Sequence, residues 1–233
     1  METAHGLPIS FEGIVMKIVK PSVELISITP DAEKLIERAG RTCYKSEDKI
    51  IGGSAAKFIK MILERGHESV IEHASASFKI VSDRGVLNEV VRHRIASYSQ
   101  TSTRYVNYSN GKFNKEISVI EPPGLSQCYD PRFHGCIRTD LSCCPWHSWS
   151  ASVQRAEDSY MQMIDQGMSP QIARSVLPLC LASELIMTAN MREWRHFIKL
   201  RTSKAAHPQM IEIATMIRDK LIEVAPSVFG DLA

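Results

Sequence analysis

Ala74, Ala76, Phe78 and Ile80 alternate with Ser75, Ser77 and Lys79. A period of two fits a strand with one buried face and fits no helix, whose apolar positions recur at three and four. Around this strand the patterns change. Val23–Ile28 is a β-branched run that reads as a strand, and Thr29-Pro30-Asp31 starts a helix that carries Leu35 and Ile36 inward and ends near Gly40. Ser54 caps a second helix with Phe58, Ile59, Met61 and Ile62 on its apolar side, closed by Gly66. Further on come a short strand at Ile117–Ile120, a helix from Trp149 to Gly167 and another from Ser169-Pro170 to just before Pro178. A strand at Leu179–Thr188, a helical segment at Asn190–Arg201 and a final helix at Pro208–Val224 complete the pattern. Residues 124–147 show little apolar periodicity and many Pro, Gly, Cys and Asp, so they read as one long irregular loop.

A chain of 233 residues can bury a sizeable core. Its net charge of +2 is too small to imply a nucleic-acid partner, and the basic residues cluster locally, which favours discrete anionic ligands. Glu2, Glu12 and Lys17 crowd the N-terminal stretch, so no signal-peptide core is expected there. Val176–Met187 is the longest apolar run and Glu184 interrupts it, so no membrane span is expected and the protein reads as cytoplasmic. Cys128, Cys136, Cys143 and Cys144 lie near His134 and His147, but their spacings match no standard zinc site. Reduced thiols and no metal are the expectation.

Two segments carry dense chemistry. The first, Arg92 to Tyr105, holds three arginines, a histidine and three serines, and follows the apolar pairs Val86-Leu87 and Val90-Val91. It reads as a helix end running into a polar loop. Guanidinium forks and hydroxyls suit phosphate oxygens. A solvated basic helix end, favoured by the helix dipole, is the plainer alternative. Ser102 lies among cations with no evident activating base, so it suits a phosphate donor better than a nucleophile. The second segment runs from Asn190 to Arg201. On a helix Arg192 and His196 share a face, while Arg201 lies about half a turn round. Glu193, Arg195 and Lys199 fit a scattered, exposed charge pattern. Between the two, Arg174 sits inside an apolar segment, which reads as a buried arginine; with no acid within a turn to pair it, that points to an anionic ligand. Upstream, His67 to His73 places two histidines and two glutamates between a helix and the alternating strand, but the histidines are six apart and do not suit a zinc helix.

Arg92, His93, Arg94, Ser97, Ser102 and Arg104 together closely resemble the signature of the flavin-dependent thymidylate synthases. His67, Ser69, Glu72 and His73 match that family's preceding motif, Ala173-Arg174 and Leu177-Pro178 match its Ala-Arg-x-x-Leu-Pro element, and Asn190, Arg192, His196 and Phe197 match a third. The resemblance spans residues 41 to 215 or so and departs at Glu89, Ser99-Gln100 and Ala206-His207-Pro208. It implies an α+β fold: a single mixed domain over residues 1–233, with a central, mostly antiparallel sheet flanked by helices. No Gly-x-Gly-x-x-Gly occurs, so flavin would not bind in the Rossmann manner.

What the resemblance implies chemically is a homotetramer with shared active sites that methylates dUMP to dTMP. FAD is the implied cofactor, with NADPH and 5,10-methylenetetrahydrofolate as co-substrates. By the same match, His67, Ser69, Glu72, Arg92, His93, Arg94, Gln100, Asn190, Arg192 and His196 are the expected FAD contacts. Glu89, Arg92, Ser102, Arg104, Arg174 and Arg201 are expected around dUMP, with Arg201 as the catalytic group that activates the uracil. The rival from another class is a non-catalytic nucleotide- or RNA-binding protein, with Tyr98, Tyr105 and Tyr108 as stacking platforms.

Overall fold

The computed structural model describes residues 9–11, 14–125 and 145–233, with side chains from Lys17 onward. The irregular loop expected at 124–147 therefore lies mostly outside the described residues. The elements in order are β1 (Ile9–Phe11), β2 (Ile14–Val19), β3 (Ser22–Ile28), α1 (Ala32–Thr42) and α2 (Ser54–Glu64). A 3-10 segment at Glu68–His73 leads to β4 (Ser75–Asp83), α3 (Arg84–Val90), β5 (Ala96–Gln100) and β6 (Ser118–Ile120). The chain continues through α4 (Pro145–Asp165), α5 (Pro170–Ala173), β7 (Ala182–Asn190), α6 (Met191–Arg201), α7 (Pro208–Val224) and α8 (Pro226–Phe229). The class is α+β, with a mostly antiparallel four-stranded sheet in the order β3-β4-β7-β5.

Two compact units emerge. The first comprises the described residues through Pro21, Val81–Leu87 and those of 100–184. It holds a smaller sheet, β1-β2-β6, in which β2 runs antiparallel to β1 and parallel to β6. Its core gathers Tyr108, Ile117, Val119, Val153, Tyr160 and Leu181. There Glu157 of α4 is buried, and its carboxylate accepts the Ile117 amide at 2.6 Å. Burial pushes that carboxyl above the ordinary value.

The second unit comprises Ser22–Ile80, Asn88–Ser99 and Leu185–Ala233. In β4 the alternation is realised: Ala76, Phe78 and Ile80 are buried and Ser75, Ser77 and Lys79 are half-buried. On that half-buried face the Ser77 and Thr188 hydroxyls meet at 2.8 Å. On the buried face α6 is fastened to the sheet by Trp194, whose indole N–H donates to the Ala76 carbonyl at 3.1 Å. Its ring packs edge-on against Phe78 (5.0 Å) and Phe197 (5.6 Å). Truncating an aromatic so enclosed costs about 3–5 kcal/mol.

Several boundaries move for identifiable reasons. Pro145, suited to a first turn, starts α4 ahead of Trp149. Gly53, at φ 80°, stands before α2, and Ser54 is its first residue. The helix begun at Pro170 tightens into a 3-10 turn at Arg174–Val176 ahead of Pro178. Leu179 and Cys180 precede β7: the Leu179 carbonyl accepts from Arg84, and that of Cys180 from Ile120 of β6, beside an isolated antiparallel bridge between Val119 and Leu181. α7 spans the expected Pro208–Val224.

Candidate active site

α6 organises the second unit's chemistry. Asn190 caps it, accepting the Glu193 amide at 2.9 Å, which satisfies one of the donors a helix start leaves open. From that fixed start, Arg192 and His196 fall on one exposed face and line a cleft of ≈ 530 Å³, a volume usual for small-molecule sites. Glu68 and Glu72 come from the 3-10 segment opposite. Arg192 Nη1 donates to Glu72 at 2.6 Å and its Nε lies 3.5 Å from Glu68, with Lys199 Nζ 3.9 Å from the same acid. The Glu72 hydrogen bond, with Glu68 adding to it, raises the guanidinium pKa further above its ordinary value, and Arg192 remains half-exposed.

The other side of α6 is buried. His93 is enclosed, with Nδ1 2.9 Å from the Glu193 carboxylate and Nε2 3.0 Å from Arg201 Nε. An arginine only donates, so Nε2 must present its lone pair and the ring proton must sit on Nδ1, donated to Glu193. Burial is the main cause that holds the His93 pKa below its ordinary value, with the Arg201 cation adding to it and Glu193 opposing. Arg201 is also tied to Glu89: Nη1 donates to the carboxylate at 3.0 Å and Nη2 to the backbone carbonyl at 2.9 Å. Three of its five N–H donors are thus used within the chain. Glu89 is therefore not a bare anion; its partner is Arg201.

His93, Glu193 and His196 bring ligand-type atoms within 4.8 Å of one another. The grouping suits a metal poorly, because both His93 nitrogens are spent and a guanidinium already occupies one side.

In the first unit Ser102, Thr103, Arg104 and Arg174 gather. Arg174 Nη1 donates to the buried Thr103 hydroxyl at 3.3 Å, and Ser102 Oγ accepts the Arg104 amide at 3.3 Å. Guanidiniums and hydroxyls are the groups that suit an anion.

The remaining expected residues fall as follows. His67 and Ser69 are exposed at the start of the 3-10 segment, and Arg92 and Arg94 are exposed in the turn between α3 and β5. That turn runs directly into a strand, not the polar loop expected. Gln100 donates to Ser183 at 3.4 Å. Two charge readings are corrected. Arg174 is exposed rather than buried, because its segment ends in a short 3-10 turn. Glu193 and Arg195, read as scattered surface charge, are buried: Glu193 meets His93, and Arg195 forms a bidentate pair with Asp231 at 2.6 and 2.7 Å. Sequence reasoning also passed over Thr103. The Asn190-x-x-Glu193 spacing, a capping signature, was the available sign that Glu193 had a fixed place.

A family model described as "Thymidylate synthase complementing protein" matches residues 24–227. A flavin-dependent thymidylate synthase of Mycobacterium avium is 34% identical over 220 residues, covering 92% of this chain and 85% of the relative. One of Mycolicibacterium gilvum is 35% identical over 223 residues, covering 91% and 84%. Among solved structures, a UMP/dUMP methylase from Streptomyces cacaoi bound with 5-Br dUMP superposes with a TM-score of 0.74 at 24% identity, covering 92% of this chain and 96% of that one. The last likeness speaks to the fold. The matched family model and the two relatives show that this chain belongs to the flavin-dependent thymidylate synthase family and is an enzyme of that class.

Proposed function

We propose that the protein methylates dUMP to dTMP in the cytoplasm, as a homotetramer with shared active sites. The one-carbon donor is 5,10-methylenetetrahydrofolate and the hydride comes from NADPH through FAD. The observation that carries this reading is Arg201, whose side chain is only 16% exposed, fixed by three hydrogen bonds and placed on the helix that also lines the cleft. Its remaining donors are oriented before any ligand arrives. Preorganised donors of this kind stabilise charge that develops in a transition state, here negative charge on the pyrimidine as its C5 becomes nucleophilic.

The cleft residues fit a flavin dinucleotide. Arg192 and Lys199 are cations now answered by carboxylates, and both can turn to phosphate oxygens. Asn190 and His196 add polar contacts, and the exposed His67, Ser69, Glu72, Arg92 and Arg94 are further candidates. Gln100 is a candidate too. Bound flavin would supply the hydride that completes the methyl group, while the C5 hydrogen leaves as a proton. Ser102, Arg104 and Arg174 would hold the dUMP phosphate, with Arg92 and Glu89 toward the nucleotide. In a tetramer the phosphate-binding group and Arg201 can belong to different copies. Among the described residues Cys43 and Cys180 are free thiols, as a reducing compartment permits. No helix of the described residues is long and apolar enough to cross a membrane.

The test is the visible spectrum of the purified protein under anaerobic conditions, followed by NADPH, then dUMP and methylenetetrahydrofolate. Flavin absorption that bleaches with NADPH, and dTMP formed on completion, are the expected results. Arg201→Ala should keep the flavin and lose about 10²–10³ in kcat, the loss seen when one oxyanion-type donor is removed. A colourless protein that takes up no added FAD would hand the lead to the nucleotide-binding alternative.

A further inference from the structure

We propose that the buried Glu193–His93 pair is a positioning device for Arg201: Glu193 holds the Nδ1–H tautomer of His93, whose Nε2 lone pair then fixes the Arg201 guanidinium. The proposal rests on the functional reading above for the identity of the reaction, though not for its geometry.

Three features support it. First, the bonds run in one sense, from His93 Nδ1–H to Glu193 (2.9 Å) and from Arg201 Nε–H to His93 Nε2 (3.0 Å). Reversing the tautomer would set two donors against each other at Arg201 and two acceptors against each other at Glu193. Second, the histidine is held at both backbone and ring. The Tyr98 hydroxyl donates to the His93 carbonyl, the His93 amide donates to Val90, and Phe197 packs on the imidazole at 4.8 Å. Third, Glu193 is only 8% exposed and stands three residues after the cap of the same helix that carries Arg201. A rigid element thus supplies both ends of the relay. Charged or titratable groups face His93 from α6 (Glu193, His196, Arg201), from α3 through Arg201 (Glu89) and from β5 (Tyr98). Protonating His93 would remove the acceptor and place a second cation 3.0 Å from the guanidinium.

Two variants separate the parts. In His93→Asn the shorter amide can still reach Glu193 but offers nothing to Arg201. In His93→Gln the longer amide can place its oxygen where Nε2 was. His93→Asn is expected to lose on the order of 10²-fold in kcat, the scale of a misplaced reacting group, with KM for dUMP little changed. His93→Gln should recover most of that loss. Wild-type kcat should fall on the acid side of the ordinary histidine range as His93 protonates, and that limb should vanish in His93→Gln. Independently of turnover, ¹⁵N spectra of histidine-labelled protein should show His93 neutral, protonated at Nδ1 and bare at Nε2. Wild-type kcat in His93→Asn alongside an inactive Arg201→Ala, an acid limb surviving in His93→Gln, or an Nε2–H tautomer would each overturn the proposal. If the wild-type protein took no flavin and made no dTMP, the functional reading would fail instead, and the spectra would still decide the relay.

Discussion

At the scale of single residues, what separates the cations is how much of each guanidinium is already used. Arg201 and Arg195 are enclosed and multiply bonded, whereas Arg174 is exposed and spends one donor on Thr103. A loosely held cation of that kind is suited to take up and release a phosphate. Arg174→Ala should therefore raise KM for dUMP by about 10- to 100-fold, the worth of charge-assisted hydrogen bonds, with a smaller effect on kcat; steady-state kinetics at fixed salt would show it. The shared face of Arg192 and His196 was legible because helical spacing alone places residues four apart together. The burial of Glu193 and Arg195 was not. Spacing describes one helix in isolation, and α6 is covered on its further sides by the sheet, by α7 and by the C-terminal segment.

Among elements, α1 and α2 pack closely enough that a single methyl decides their contact. A Cβ on Gly40 would lie 2.5 Å from Phe58 Cζ and 2.6 Å from Cε1, and Phe58 is buried beneath the Arg41 guanidinium at 4.7 Å. Gly40→Ala gains about 1 kcal/mol of helix propensity. Overpacking costs about 1–3 kcal/mol, so a net loss in stability is expected, read as a lower denaturant midpoint with an unchanged slope. Gly40 is also where the sequence reading ended α1, two residues before its observed end. Glycine more often follows a helix than sits within it, so the packing reason for this one could not be seen without its neighbour Phe58. α7 carried no such conflict: Pro208 opens it, buried Ile213, Ile217 and Leu221 mark its apolar side, and its limits were readable.

For the molecule as a whole, acid stability should depend on the chain's last few residues. Asp231 pairs with Arg195, whose hydrogen bonds are the main cause holding the Asp231 carboxyl below its ordinary value. A carboxylate depressed in the folded state stabilises at pH values above its unfolded pKa, near 3.9, and loses that contribution as pH falls through the folded pKa. With Asp231 half-exposed, Asp231→Asn should cost about 1–2 kcal/mol at neutral pH. The difference from wild type should start to narrow near pH 4 and close as pH falls through the lower folded pKa, in urea titrations across pH. The α+β class and the single alternating strand were legible. The division into two units was not, because the first unit draws on separated stretches and borrows the end of β4, and no break in composition marks those junctions.

Trp194 carries one more consequence. Its indole is enclosed between Phe78 and Phe197 and bonded to the sheet, while its chain neighbours Glu193 and Arg195 line the cleft along with Arg192 and His196. Such an indole emits at shorter wavelengths than a solvated one, in the range where an isoalloxazine ring absorbs. The chain has three tryptophans, so the gauge of occupancy is the part of the emission that Trp194→Phe removes: loading the cleft with flavin should dim it, and stripping the flavin should restore the light.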